Sequence, residues 1–90
     1  MEQAGFEKLK QRLDEVHDWP SVYMFKFIME PKEDIIARLE ELFPEEAEIQ
    51  RRYSKGGKYV SLSIKEVMVS SEEVLNRYKK ASEIEGVIML

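Results

Sequence analysis

The chain has 90 residues, 43% hydrophobic and 36% charged, with 14 basic and 18 acidic residues and a formal net charge of -4 at pH 7. That length supports one small domain with a modest core and a net stability on the order of 5–10 kcal/mol. No apolar run reaches the roughly 18 residues of a membrane span, no apolar leader opens the chain, and the lack of cysteine excludes disulfides, thiolate chemistry and cysteine-based zinc sites, so the cytoplasm is the expected location.

In chain order, residues 3–17 are expected to form an amphipathic helix. Phe6, Leu9, Leu13 and Val16 recur at helical spacing and make one apolar stripe. His17 and Asp18 follow. Adjacent residues seldom orient each other as a base and its partner, so His17 is read as a helix-terminus residue, where a cation is favoured. Trp19 precedes Pro20 and is expected to be extended; it is read as a staple between helix and sheet.

Residues 21–29, SVYMFKFIM, read as a strand that is apolar on both alternating sets. Tyr23, Phe25, Phe27 and Met29 form one face, and Val22, Met24, Lys26 and Ile28 the other. Such a strand is expected to be central or covered on both sides. A second helix is expected over residues 31–43, with Pro31 in the first turn, Glu33 and Asp34 near the positive end of the dipole, and Ile35, Ile36, Leu39, Leu42 and Phe43 on the buried stripe. Pro44 ends it.

A weaker strand is expected over residues 47–54 and a clear one over 58–67, where Val60, Leu62 and Ile64 alternate with Tyr59, Ser61, Ser63 and Lys65. Between them lies Gly56-Gly57. A two-residue type I′ turn there needs positive φ at both positions, which glycine supplies. That turn pairs Lys55 with Lys58 and Tyr53 with Val60, and sets Arg51 beside Leu62 on the core side; a longer or bulged loop could face these residues differently. Ser70 or Ser71 is placed to cap a third helix, whose inner stripe is Val74, Leu75, Tyr78 and Ala81. Gly86 closes that region, and residues 87–90 form a short last strand. Met24, Met29 and Met68 are read as core filler.

After the first helix the order is strand, helix, strand, strand, helix, strand. That order predicts an α+β, ferredoxin-like βαββαβ sandwich: a four-stranded antiparallel sheet, two helices on one face, and an extra N-terminal helix. The N-terminal amphipathic helix is assigned to residues 1–18 and the ferredoxin-like, ACT-like domain to 19–90. The sheet's other face is then open and largely apolar, and such faces are usually covered. The N-terminal helix and a second copy of the chain, pairing as a homodimer through the sheet face, are the two candidate covers.

Charge is unevenly spread. Residues 1–48 hold 13 acidic and 6 basic residues, a balance of -7, whereas 49–90 hold 5 acidic and 8 basic, a balance of +3. Such a split marks a candidate interaction surface. Its centre is RRYSKGGKYV, residues 51–60. Arg51, Arg52, Lys55, Lys58 and Tyr59 are the candidate binding residues, for an acidic protein, a phosphorylated ligand or RNA. Two plainer readings stand beside this one: a solvated edge strand, where lysine discourages edge-to-edge pairing, and an internal answer to the EELFPEEAE run at 40–48. That run lacks the loop spacing of a calcium site, so it is read as a solvated acidic surface. No metal and no cofactor is expected.

DWPSVYMFKFIM and SKGGKYVSLSI, with Pro20, Ser54, Lys55, Gly56, Tyr59 and Ser61 at the matching positions, resemble the YbeD-like bacterial domains of unknown function. The resemblance covers about residues 17–90. It implies a ferredoxin-like fold close to that of ACT regulatory domains, and it implies no catalytic residues. The ACT ligand site typically uses a glycine-containing loop after the first strand; the corresponding MEPKED segment here has none.

Together these readings predict a small, non-catalytic regulatory or adaptor domain that binds a protein partner or a small ligand. The alternative is an RNA-binding module using the basic hairpin and the sheet face. Against it, the third strand presents one aromatic on its polar side where base stacking wants several, the RNA-recognition signature is absent, and the net charge opposes phosphate.

Overall fold

The computed structural model describes residues 2–90, with side chains from Glu7 onward; Phe6, expected on the first helical stripe, lies outside the described side chains. The elements are α1 (Glu2–Val16), β1 (Ser21–Met29), α2 (Glu33–Glu40), β2 (Glu48–Tyr53), β3 (Val60–Met68), α3 (Ser71–Ser82) and β4 (Ile88–Met89). The strands form one antiparallel sheet in the order β2-β3-β1-β4. This is the expected ferredoxin-like arrangement, with β1 and β3 central.

The local causes are visible at the element ends. Ser70 has extended backbone, and its hydroxyl accepts from the Glu73 N–H at 3.2 Å, which satisfies one of the helix's free donors. α2 is shorter than the 31–43 expected. Its last turn tightens, with Leu42 N–H donating to the Leu39 carbonyl and Phe43 N–H to Glu40, before Pro44 ends the run.

β1 turns Phe25, Phe27 and Met29 inward, each 0–1% exposed. The register explains the choice between its two apolar sets: these residues stand opposite Ile64, Leu62 and Val60, the unambiguous apolar face of β3. Phe43 and Tyr78 then meet Phe25 edge-on at ring separations of 5.2 and 5.1 Å, a geometry that favours the aromatic quadrupoles. Ile36, Leu39, Val74 and Ala81 complete the core from α2 and α3. Full burial of each large side chain contributes about 1.5–3 kcal/mol.

α1 packs against α3, with Leu13 buried. The N-terminal helix therefore stands beside α3 and does not lie across the open sheet face. Trp19 is the expected staple: its indole N–H donates to Asp14 at 2.9 Å, it stacks on His17 with ring centroids 5.2 Å apart, and it packs on the core. Met29 and Met68 are core residues, but Met24 is 41% exposed on the open face. The core-filler reading fails for Met24 because it sits on the other pleat of β1.

Candidate functional site

The open face is built from the even-numbered residues of β1, the odd-numbered ones of β3 and the even-numbered ones of β2. Cross-strand register lays them out in rows. One row joins Val22 to Val67. The next runs Met24, Lys65, Glu48, the third Lys26, Ser63, Gln50, and the last Ile88, Ile28, Ser61, Arg52. Val22, Val67, Ile88 and Leu90 are among the exposed large apolar side chains. Between the rows lies a shallow depression of about 610 Å³, lined by Lys26, Ile28, Gln50, Arg52, Ser63 and Leu90 among others. A second depression, about 200 Å³, lies between Met24, Lys26, Glu48 and Lys65.

Among the described residues, Lys26, Lys65 and Arg52 have no ion-pair partner. The face thus carries three cations against one carboxylate, Glu48, in a chain whose net charge is -4. Charges of one sign gathered in a cleft raise the local concentration of oppositely charged partners.

The basic hairpin divides. Tyr53 pairs with Val60 and Arg51 with Leu62, the pairing that a tight Gly-Gly turn implies. The turn itself differs. Ser54 N–H donates to the Tyr59 carbonyl at 2.8 Å, and Gly57 N–H donates to the Ser54 carbonyl at 2.8 Å. The loop is therefore four residues, Lys55 to Lys58, and its β-turn spans 54–57. Ser54 Oγ accepts from the Tyr59 N–H at 2.9 Å, a side-chain bond that closes the hairpin. Gly56 and Gly57 both have positive φ, +87° and +72°, as the turn reading requires.

Arg51 lies on the helix side. Its guanidinium donates to Glu40 at 3.2 Å and to Glu33 at 3.4 Å, and Tyr53 followed by Glu40 holds its pKa above the ordinary arginine value. The internal reading of the basic segment is met here, through one residue of the acidic run. Arg52 points to the open face. Lys55 and Lys58 sit at the loop tip, with the Lys58 ammonium 5.6 Å from the Tyr59 ring centre. Of the five candidates, Arg52 and Tyr59 share the open face, the two lysines belong to the hairpin loop, and the Arg51 side chain is turned to the helix side.

The sequence reading missed two constellations. Lys26 and Lys65 belong to the open-face cation group; the signal available was a charge interrupting an otherwise apolar strand. Along the helix side, His17 Nδ1 lies 3.2 Å from Ser21 Oγ, and the Tyr23 and Tyr78 hydroxyls are 3.0 Å apart. Burial, then the Tyr23 contact, pushes the Tyr78 phenol well above its usual value. Ser71, then Trp19 and Lys10, hold the Asp14 carboxyl below the usual carboxylate value. Among the described residues no three histidine or carboxylate side chains converge as metal ligands, and no helix is long and apolar enough to cross a membrane.

The sequence model of one family, described as a protein of unknown function (DUF493), matches residues 14–90. The chain belongs to that family. The matched span begins at Asp14, the residue that anchors Trp19, and takes in every strand and both sheet-packed helices of the DUF493 fold. It agrees with the YbeD-like resemblance over residues 17–90. No curated protein and no solved structure matches the chain.

Proposed function

We propose that this DUF493 domain is a non-catalytic adaptor or regulatory domain whose open sheet face binds an acidic, partly apolar segment of a partner protein. One observation carries the reading: Lys26, Lys65 and Arg52, without ion-pair partners among the described residues, are interleaved with exposed apolar side chains on an otherwise acidic chain. The apolar groups favour burial at about 25 cal/mol per Å², and the cations select and steer the partner. Nucleic acid is the weaker fit, since the aromatic on that face is Tyr59 at its edge, where stacking platforms place aromatics centrally.

The test is an amide NMR titration of the intact chain with two probes: a synthetic peptide of alternating leucine and glutamate, and single-stranded oligouridine. The peptide is expected to shift amides of Met24, Lys26, Ser63 and Lys65, and a Lys26→Glu, Lys65→Glu double variant is expected to lose the effect. Peptide shifts absent, or unchanged in the variant, refute the proposal. Saturable shifts with oligouridine alone transfer the face to RNA.

A further inference from the structure

β2 is an edge strand, paired to β3 on one side only. Which of its backbone groups face outward follows from the hairpin. Ser54 N–H donates to the Tyr59 carbonyl, and antiparallel ladders alternate in this respect. Even-numbered residues of β2 therefore turn their N–H and C=O groups toward β3, and Ile49, Arg51 and Tyr53 turn theirs to the free edge. A strand added there must oppose odd residues to odd.

The segment also carries a charge gradient. Glu45, Glu46 and Glu48 lie at its start, and Arg51, Arg52 and Lys55 at its end. An antiparallel copy reverses the gradient, so each acidic end meets a basic end. We propose that the chain pairs with a second copy of itself through β2, antiparallel, with Glu48 opposite Arg52 of the second copy and Gln50 on the two-fold axis. In this register Ile49 opposes Arg51, which exchange the outward backbone hydrogen bonds. Glu48 and Arg52 form the non-hydrogen-bonded pairs, whose Cα atoms approach to about 4.5 Å. Continued past the strand, the same register sets Glu45 against Lys55. Sliding the copies by one allowed step toward the hairpin instead puts Arg51 against Arg51 on the axis, and like charges directly opposed are destabilising.

The register also gives Arg52 a partner. Glu48 already stands across from Lys65 on β3, so the second copy's Arg52 leaves it between two cations. The result is a continuous eight-stranded sheet whose two open faces join across the seam, with Lys26 and Lys65 as their remaining cations. Pairing through the open faces themselves would bring two sets of Lys26, Lys65 and Arg52, each with the single carboxylate Glu48, into one interface, so the balance of charge favours the edge. The inference does not depend on what the open face binds.

Sedimentation equilibrium of the intact chain tests it, over about 0.01–1 mM, the range a short seam requires. The wild type is expected to dimerise. Glu48→Arg sets arginine against arginine, Arg52→Glu sets glutamate against glutamate, and each variant alone is expected to be monomeric. Mixed in equal amounts they are expected to form a heterodimer, because both seam pairs are then opposite in charge. Wild type that stays monomeric across the range overturns the proposal and returns β2 to a solvated edge. Single variants that still dimerise, or a mixture that stays monomeric, overturn it equally. Should either reversal fail to fold, Glu48→Gln and Arg52→Gln are expected to weaken the dimer several-fold, and an unchanged association refutes the seam.

Discussion

Removing the Arg77 guanidinium offers a sharp test of how the helix layer is tied to the sheet. Arg77 on α3 donates to both Glu66 oxygens on β3, at 2.5 and 3.3 Å, and lies over the Phe43 ring at 4.6 Å. The two side chains are only 15% and 14% exposed. Exposed ion pairs contribute about 0.2–1 kcal/mol, whereas stranding one partner of a buried pair costs about 3–5 kcal/mol. At this burial Arg77→Met is expected to cost roughly 2–3 kcal/mol, since methionine keeps the contact with Phe43 and leaves Glu66 without its partner. In a domain of this size that lowers Tm by about 8 °C or more. Replacing both residues with methionine removes the stranded carboxylate, so the double variant is expected to recover to within about 1 kcal/mol of wild type. Urea unfolding followed by the fluorescence of the single tryptophan, Trp19, measures all three. A double variant as unstable as Arg77→Met refutes the stranded-charge account and assigns the loss to packing.

Three further expectations follow from the site. Arg51→Ala removes pairs to Glu33 and Glu40 that are partly exposed and is expected to cost about 0.5–1.5 kcal/mol, while Arg52→Ala stays within about 0.5 kcal/mol in dilute solution; equal losses in denaturant melts contradict the division of the hairpin. Gly57 has φ of +72° with nothing within 4 Å of an added Cβ, so Gly57→Ala is expected to cost about 1 kcal/mol from backbone strain alone and Gly57→Asn less, because asparagine tolerates that region; the reverse order in thermal melts refutes the reading. Asp14 titrates below its unfolded value of 3.8, so its contribution is present above that pH and is lost as pH falls through the lower folded value. The stability gap between wild type and Asp14→Asn should hold at neutral pH and close in acid. A gap that does not begin to narrow in urea melts as pH falls below 3.8 assigns the effect to something other than the carboxylate.

Periodicity and turn chemistry alone determined most of the fold: three helices, the alternating β3, a serine cap at position 70 or 71, and the two glycines that let the hairpin reverse. Local rules suffice there because they are set by residues within a few positions of one another. The length of the hairpin loop was not so determined, because the Ser54 side chain, which closes it, competes with the backbone in a way that spacing does not reveal. The two faces of β1 were also beyond the sequence. Both its sets are mostly apolar, and the inward one was decided by cross-strand partners on β3 and by aromatic packing with Phe43 and Tyr78, residues far away along the chain. Tertiary contact likewise separated Arg51 from Arg52. They are neighbours in sequence, but successive strand residues point to opposite faces, and only the placement of α2 over one face supplies Arg51 with carboxylates while Arg52 stays on the open side.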